Sequence, residues 1–296
     1  MADAYELVQL KNGTWSVRST AEGETFHPVV GPEAEAESLY VRGLRVAERM
    51  AAHRAGPWVI WDVGLGAAAN ILTVLRSLPH NGHPVQVLSF DHTLEPLRFA
   101  LQHREALGYV TGQEPLVEEL LATGRVIRQH GPFPLDWRVF HGDFPTLLNR
   151  PEATAWPSPH VILFDAFSPA RNPVMWTLPV FQRLRELAPA STPCAMATYS
   201  RATLLRVTLL LAGWHVGVGH ATGEKEETTL AANVPELIQE PLGPAWLERA
   251  RRSTSAEPLR DPSYRQQPLS EASWAMLRAH PQFQSSGLDS ARPNRP

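Results

Sequence analysis

Short apolar runs that end in a polar residue, each followed by a helical pattern, recur through the middle of the chain. Residues 58–61 form such a run, which meets Asp62 and a glycine-rich turn before a helical pattern over 67–78. The next run, 85–90, ends in Asp91 and again precedes a helical pattern. Strands buried on both faces are continuously apolar, and parallel strands are joined by helical crossovers. The alternation therefore predicts a doubly wound α/β sheet.

Later segments extend the same alternation. Strands are predicted at 138–141, at 161–164 and over CAMATYS, and the helix after CAMATYS ends at Gly213. The segment TGQEPLVEELLATGRVIRQHGPFP indicates a helical piece followed by a loop punctuated by proline. Residues 215–233 predict a closing pair of strands with a turn near Gly223. Several strand–helix units closed by antiparallel strands are typical of a Rossmann-like sheet of the methyltransferase type.

The two ends of the chain differ from this middle part. Residues 1–55 predict a β-hairpin at Asn12-Gly13 and then a helix over EAEAESLYVRGLRVAERMAAHR. Residues 56–235 form the predicted α/β domain. Residues 236–296 predict a C-terminal extension with two weak helical stretches, and its last segment, SSGLDSARPNRP, is expected to be disordered.

Composition and charge narrow the classes of protein that remain. The chain of 296 residues has 27 Lys+Arg and 30 Asp+Glu, a formal net charge of −3, which argues against coating nucleic acid through bulk charge but leaves a local basic patch open. No apolar run reaches the roughly 18 residues of a membrane span. The N-terminus lacks the pattern of a secretory signal, and Cys194 is the single cysteine, so we expect a cytoplasmic protein without disulfides or a cysteine-rich metal site.

The glycine-rich turn is the first candidate for binding chemistry. In Asp62-Val-Gly-Leu-Gly66, Gly64 and Gly66 allow a sharp turn and close approach of a ligand, and Asn70 follows. The third glycine of the dinucleotide fingerprint is missing, and the D-x-G-x-G pattern resembles the first motif of S-adenosylmethionine methyltransferases. Asp91, at the next strand end, can accept hydrogen bonds from two ribose hydroxyls. The alternatives are a tight turn without ligand and a helix cap at Asp91.

A third strand end carries Gly142-Asp143. A carboxylate in that place often holds the adenine amino group in nucleoside-binding enzymes of this class. The alternative is that Asp143 serves only as a turn residue.

The segment FDAFSPARNPVMW is the most informative candidate. Asp165 ends a strand at the edge where ligands bind in open α/β sheets, and prolines such as Pro169 stiffen the loop that follows. Phe167 and Trp176 offer flat surfaces for stacking a base or enclosing a cation. Methyl transfer to an amine requires deprotonation, alignment and tolerance of a cationic product. A carboxylate beside an aromatic ring can supply all three. A capped loop with a core Phe and Trp is the structural alternative.

The loop DAFSPARNPVMW, which includes Asn172, resembles the D-[GA]-F-x-P-x-x-N-P-x-M-W loop of the tRNA 5-methylaminomethyl-2-thiouridine methyltransferase family. This family is the methyltransferase half of the bifunctional MnmC enzymes. FHPVVGPEAEAESLYV resembles the family's N-terminal segment, with Glu37 in place of its glutamate. DVGLGAAANILTVL, ATYSRATLLRVTLLLAGWHV and GEKEETTLA, which contains Lys225, resemble further motifs. The resemblance covers roughly residues 24–235.

The resemblance implies methylation of the 5-aminomethyl group of the wobble uridine in the anticodon loop of tRNA, with S-adenosyl-L-methionine as methyl donor. It implies that Gly64 and Gly66 line the methionine end of the donor, that Asp91 holds the ribose and that Asp165 orients or deprotonates the amine. Further residues are expected to take part. Cofactor contacts are expected at Asp62, Asn70, Asp143 and Glu37, and catalysis at Asp165 and Phe167. Substrate contacts are expected at Pro169, Asn172, Trp176 and Lys225.

Some features depart from the family pattern. The closing segment usually carries Lys-Arg, whereas here Lys225 is followed by Glu226 and Glu227. No second glycine-rich fingerprint occurs, so we expect a stand-alone methyltransferase and a separate oxidase acting upstream. Alternatives are a related methyltransferase acting on a small amine or another RNA, and a non-catalytic module that binds S-adenosylmethionine or RNA. An aminopropyltransferase of this fold class would be expected to show a more acidic pocket than the sequence reveals.

Overall fold

The structure, a computed structural model, describes residues 4–79, 82–221 and 227–284. It begins with a small antiparallel sheet of three strands, β1 (Tyr5–Gln9), β2 (Trp15–Ser19) and β3 (Glu24–Thr25). The predicted hairpin is confirmed, because β1 and β2 pair on either side of the Asn12-Gly13 turn. The third strand was not predicted, and it is only two residues long.

The predicted N-terminal helix is broken into three parts. These are α1 (Pro32–Ala36), a π-helical turn (Glu37–Arg42) and α2 (Val46–Ala52). Arg45 separates the last two parts, because its φ of 52° is left-handed. Each residue of a helix advances by about 100°, so the irregular turn changes which side chains face inward.

The main sheet has eight strands in the order β10-β11-β9-β8-β4-β5-β7-β6. Its strands are β4 (Trp58–Val63), β5 (Val85–Asp91), β6 (Arg125–His130), β7 (Phe133–His141), β8 (Val161–Phe164), β9 (Ala195–Thr198), β10 (His215–Gly219) and β11 (Thr228–Ala232). The five inner strands, β4, β5, β7, β8 and β9, pair in parallel. The predicted Rossmann-like sheet and its antiparallel closing pair are confirmed, while the turn near Gly223 lies outside the described residues.

Helices cover both faces of this sheet. They are α3 (Ala69–Ser77), α4 (Glu95–Gln102), α5 (Arg104–Leu107), α6 (Glu114–Thr123), α7 (Phe144–Leu148), α8 (Leu178–Leu187), α9 (Thr203–Leu211), α10 (Pro244–Arg252), α11 (Glu271–Arg278) and α12 (Pro281–Gln284). The alternate residues of β4 enter two separate cores, Trp58 and Ile60 on one face and Val59 and Trp61 on the other. No helix among the described residues is long and apolar enough to cross a membrane.

One predicted loop is wrong. The segment predicted as a proline-punctuated loop forms β6 and the first part of β7, which pair antiparallel at the edge of the sheet. Val126 is fully buried, whereas Ile127 is 65% exposed. Only Val126 of β6 is buried, as expected for a strand at the edge of a sheet, and Pro134 lies near the end of the pairing, where a missing N–H is tolerated.

The C-terminal extension packs against the face of the sheet that carries α8 and α9. Its apolar residues Trp246, Leu247, Leu269 and Leu277 join the core on that face. The Leu259 carbonyl oxygen accepts a hydrogen bond of 2.7 Å from the backbone N–H of Leu178. The expected tail, residues 285–296, lies outside the described residues.

Candidate functional site

A cavity of about 780 Å³ opens at the carboxyl ends of the parallel strands. The loops after β4, β5, β7 and β8 form one side, and the N-terminal sheet with the segment after it forms the other. Strand polarity explains the position, because the turns at the carboxyl ends of parallel strands all meet at one edge. Its volume lies within the roughly 300–1,000 Å³ of ordinary ligand sites.

The glycine loop after β4 approaches the loop after β8 very closely. Gly64 has a φ of 88°, and a Cβ there would lie 2.4 Å from the backbone oxygen of Asp165. Gly66 also has a positive φ, 51°, and its N–H donates to Asp91 Oδ2 at 2.8 Å. A side chain at Gly64 would push the two loops apart. Glycine is therefore required here by sterics as well as by backbone conformation.

Asp91 ties the glycine loop to the end of β5. Its Oδ1 accepts a hydrogen bond of 3.1 Å from the Thr93 N–H, and its side chain is only 8% exposed. Each carboxylate oxygen has a second lone pair, so the group can still accept ligand hydroxyls. The hydrogen bond to Asp91 also raises the pKa of His92, whose Nδ1 lies 3.3 Å from Oδ1. Asp91 is not the cap of α4, since that helix has no side-chain cap.

Asp165 lies at the end of β8 and faces the cavity. The Asn70 Nδ2 donates to its Oδ2 at 2.6 Å, and His27 Nε2 lies 3.8 Å from the same oxygen. The Asp165 side chain is 20% exposed, whereas Asn70 is almost fully buried. Asn70, predicted as a cofactor contact, thus also orients the predicted catalytic carboxylate.

Aromatic rings form one wall beside Asp165. Phe26 and Phe167 lie with their ring centroids 5.7 Å apart, and both line the cavity. Trp176 does not line it: the ring is fully buried, and its Nε1 donates to the Phe167 carbonyl oxygen at 2.7 Å. The structure therefore places Trp176 beneath the loop, where it supports Phe167 rather than stacking on a ligand.

The N-terminal segment supplies side chains that the sequence did not single out. Glu24 Oε1 accepts a hydrogen bond of 2.6 Å from Ser168 Oγ, which joins β3 to the loop after β8. His27 and Glu35 reach the cavity wall from the same segment. Glu35 replaces the predicted Glu37, which does not line the cavity. Two helical positions differ by about 200° in direction, so the two glutamates face nearly opposite ways.

Of three further predicted residues, the structure places Asp143 and Pro169. Asp143 lines the cavity and also caps α7, since its Oδ2 accepts from the Thr146 N–H at 3.0 Å. Pro169 is half-buried outside the cavity lining. Lys225 lies outside the described residues. The predicted residues that line the cavity are Gly64, Gly66, Asn70, Asp91, Asp143, Asp165, Phe167 and Asn172.

Asp62 is buried beneath the glycine loop and does not line the cavity. The Ser89 hydroxyl bonds its Oδ2 at 2.7 Å, and the Trp137 indole N–H in turn donates to Ser89 at 2.9 Å. Burial raises the pKa of Asp62 to about 7. Its position supports a structural role under the loop rather than the predicted cofactor contact.

Charge in the cavity is unbalanced toward negative. Arg171, His27 and His92 are the basic side chains that line it among the described residues. The acidic ones are Glu22, Glu24, Glu35, Asp91, Asp143 and Asp165. A site of this kind attracts cationic ligands. The sequence did not reveal this acidic pocket, because its carboxylates come from five separate segments that only the fold brings together.

Comparison with known proteins agrees with this architecture. Residues 135–234 match a family model described as an S-adenosyl-L-methionine-dependent methyltransferase. Bifunctional proteins for tRNA 5-methylaminomethyl-2-thiouridine biosynthesis, named MnmC, are similar to the chain. The one from Aeromonas hydrophila is 27% identical over 74% of this chain and 34% of its own length. The one from Methylibium petroleiphilum is 29% identical over 76% and 34%. The chain thus spans about a third of these relatives.

A solved structure has the same fold. The crystal structure of MNMC2 from Aquifex aeolicus superposes with a TM-score of 0.68, at 23% sequence identity. The match covers 93% of this chain and 84% of that one.

Proposed function

We propose that this chain, an S-adenosyl-L-methionine-dependent methyltransferase of the MnmC type, methylates the 5-aminomethyl group of the wobble uridine in tRNA. The observation that carries the proposal is Asp165. Its carboxylate is oriented by Asn70 at the end of β8, inside a long loop whose sequence matches the family's acceptor loop. The names of the similar proteins support the same reaction.

The residues of the cavity fit the methyl donor. Gly64 and Gly66 present backbone without side chains to the cavity, so a ligand can approach it closely, and Asp91 presents a carboxylate beside them. We assign Gly64 and Gly66 to the methionine end, Asp91 to the ribose and Asp143 to the adenine side. The donor supplies an electrophilic methyl group on a positively charged sulfur. The surplus of carboxylates around it favours that positive charge.

Asp165 acts on the acceptor. A simple primary amine is mostly protonated near neutral pH, so its nitrogen has no free lone pair until a proton leaves. The Asp165 carboxylate attracts the ammonium group, accepts a hydrogen bond from it and assists transfer of the proton to water. The amine stays bound to the carboxylate after it loses the proton, which keeps its lone pair aimed at the methyl group. Phe26 and Phe167 exclude water on one side.

The cavity is rich in carboxylates, but the proposed substrate, tRNA, is itself a polyanion. The carboxylates suit an amine, whereas phosphates need cations outside the cavity. Arg171 is exposed at the mouth, where a Cβ at Gly23 would lie 3.9 Å from its Nη2. We assign Arg171 to a phosphate contact.

The decisive experiment offers the purified protein three acceptors with S-adenosyl-L-methionine: tRNA that carries 5-aminomethyluridine at the wobble position, the free nucleoside, and putrescine. Mass spectrometry of the digested tRNA should detect 5-methylaminomethyluridine, and the rate should fall steeply as salt rises. Equal turnover of the free nucleoside, or faster methylation of putrescine, would instead support the small-amine alternative. Binding of the donor with no transfer to any acceptor would support the non-catalytic module.

A further inference from the structure

His27 lies between two carboxylates in the wall of the cavity. Its Nδ1 is 3.6 Å from Glu35 Oε1, and its Nε2 is 3.8 Å from Asp165 Oδ2. The three side chains are 8%, 12% and 20% exposed, so little water separates their charges. One imidazole therefore faces two acidic groups that come from different elements, α1 and the loop after β8.

The backbone at His27 is unusual. Its φ is 51°, in the left-handed region that residues other than glycine rarely adopt and that costs roughly 1–2 kcal/mol. Conformations of this kind concentrate at functional sites, where the surrounding structure holds them. Phe26, the residue before His27, is held in place by two contacts. Its N–H donates to the Val17 carbonyl oxygen at 2.8 Å, and its ring packs on Phe167.

Charge balance favours the protonated imidazole. Burial alone would lower the pKa of His27, but the adjacent carboxylates of Glu35 and Asp165 outweigh that effect, and the pKa is raised. Two carboxylates that share a poorly hydrated site repel each other, and a cation between them relieves that repulsion.

The other groups that face this cluster are neutral or acidic. Burial raises the pKa of Tyr40 and of Tyr199, so both phenols stay protonated. Asn70 is neutral and donates to Asp165. The charge of Asp62, in β4, also raises the pKa of Tyr40, and that of Glu24, in β3, raises the pKa of Tyr199. His27 lies within 4 Å of both carboxylates and can carry a positive charge between them.

We propose that His27 is a positioning residue for the methyl transfer: as an imidazolium between Glu35 and Asp165, it keeps both carboxylates ionised and fixes the orientation of Asp165. The inference rests on the proposed function for the role of Asp165. The protonation state of His27 between the two carboxylates depends on this chain alone, so it can be tested independently of the substrate.

The consequence is a second support for Asp165 besides Asn70. Both contacts reach Oδ2, so the neutral amide and the cation hold the same oxygen. Without the cation, Asp165 would bind its proton at higher pH, because Glu35 would repel its charged form. Asp165 would then lose its charge, and with it the attraction for the ammonium group, over part of the working pH range.

The first test is spectroscopic and needs no acceptor. In protein labelled with ¹⁵N-histidine, His27 is assigned by comparison with His27→Gln, and both its ring nitrogens should show protonated shifts at pH 7. Glu35→Gln should lower the pH at which His27 loses its second proton. A neutral imidazole at pH 7, or no change in Glu35→Gln, would overturn the inference, even if the protein methylates tRNA as proposed.

The second test is the pH profile of single-turnover methyl transfer at saturating donor. His27→Gln should move the acidic limb to higher pH by roughly one unit, with donor affinity within about threefold. Adding Glu35→Gln to His27→Gln should move the limb back, because removing the second negative charge replaces the lost compensation. His130→Gln, at the opposite edge of the sheet, should leave the limb unchanged. A merely structural role would predict no rescue by the double variant.

The proposal can still be tested if His27→Gln does not fold. Thermal melting identifies that case, and His27→Asn is then used, because asparagine tolerates the left-handed backbone. Glu35→Gln alone leaves His27 in place and should move the limb to lower pH. An unshifted limb in both Glu35→Gln and His27→Asn would overturn the inference. If tRNA is not methylated while the ring nitrogens are protonated, the proposed substrate fails and the electrostatic assignment stands.

Discussion

Replacing Asp165 by asparagine removes the charge of the carboxylate and keeps its shape. In the structure, Asp165 Oδ2 accepts the Asn70 amide at 2.6 Å. Asparagine can preserve that bond only with its own oxygen toward Asn70, which turns its NH₂ toward the cavity. The acceptor ammonium would then meet a donor where it now meets an anion. A charged hydrogen bond worth about 1.5–3 kcal/mol is lost, and proton removal loses its partner.

We therefore expect a hundredfold or greater fall in the rate of methyl transfer, on the order of 3 kcal/mol in the barrier. Affinity for S-adenosyl-L-methionine should change little, because Gly66 and Asp91 are held together without Asp165. The assay is single-turnover transfer to unmethylated tRNA with the donor saturating. Asp261→Asn, an exposed change on the C-terminal extension, is the matched control. Near-normal transfer by Asp165→Asn would refute the role of Asp165 and leave the loop as a shape element.

Three further outcomes are expected. Asp91→Ala should weaken donor binding ten- to hundredfold by calorimetry, about 1.5–3 kcal/mol, and unchanged binding would reduce Asp91 to a loop anchor. Gly64→Ala should slow methyl transfer in a protein that is still folded by thermal melting, because the Cβ would displace the Asp165 backbone. A rate equal to that of the wild type would contradict this contact. Burial, with the charges of His53 and Arg49, lowers the pKa of His160 to about 4. Stability should therefore fall as pH drops from 6.5 toward 4, by at most about 3 kcal/mol, and His160→Gln should flatten that dependence in urea melts.

The central sheet could be predicted because its signals are local. The apolar run that ends in Asp62, and the run that ends in Asp91, each showed a strand and its carboxyl end directly. The edge strand β6 was missed, since its buried Val126 and exposed Ile127 are too short a pattern to outweigh the nearby prolines. The π-helical turn was missed as well. It depends on packing of the N-terminal helix, which no local periodicity records.

The candidate site was predicted in outline and completed only by the fold. Four residues were found because each lies at the carboxyl end of a strand: Gly64, Gly66, Asp91 and Asp165. The carboxyl ends of parallel strands all lie at one edge of the sheet. His27 was not singled out, because a histidine after an irregular strand carries no periodic signal.

The sequence by itself determined the parallel strands of the central sheet, the polar residues at their carboxyl ends and the loop at Asp165 that resembles the family's acceptor loop. Only the tertiary structure decided that Trp176 lies beneath that loop, that Glu35 rather than Glu37 faces the cavity, and that His27 lies between Glu35 and Asp165. The physical reason is the range of the interactions. Strand ends and tight turns follow from neighbouring residues. Burial and charge pairing depend on segments more than a hundred residues apart, such as 27 and 165, which meet only when the sheet has formed.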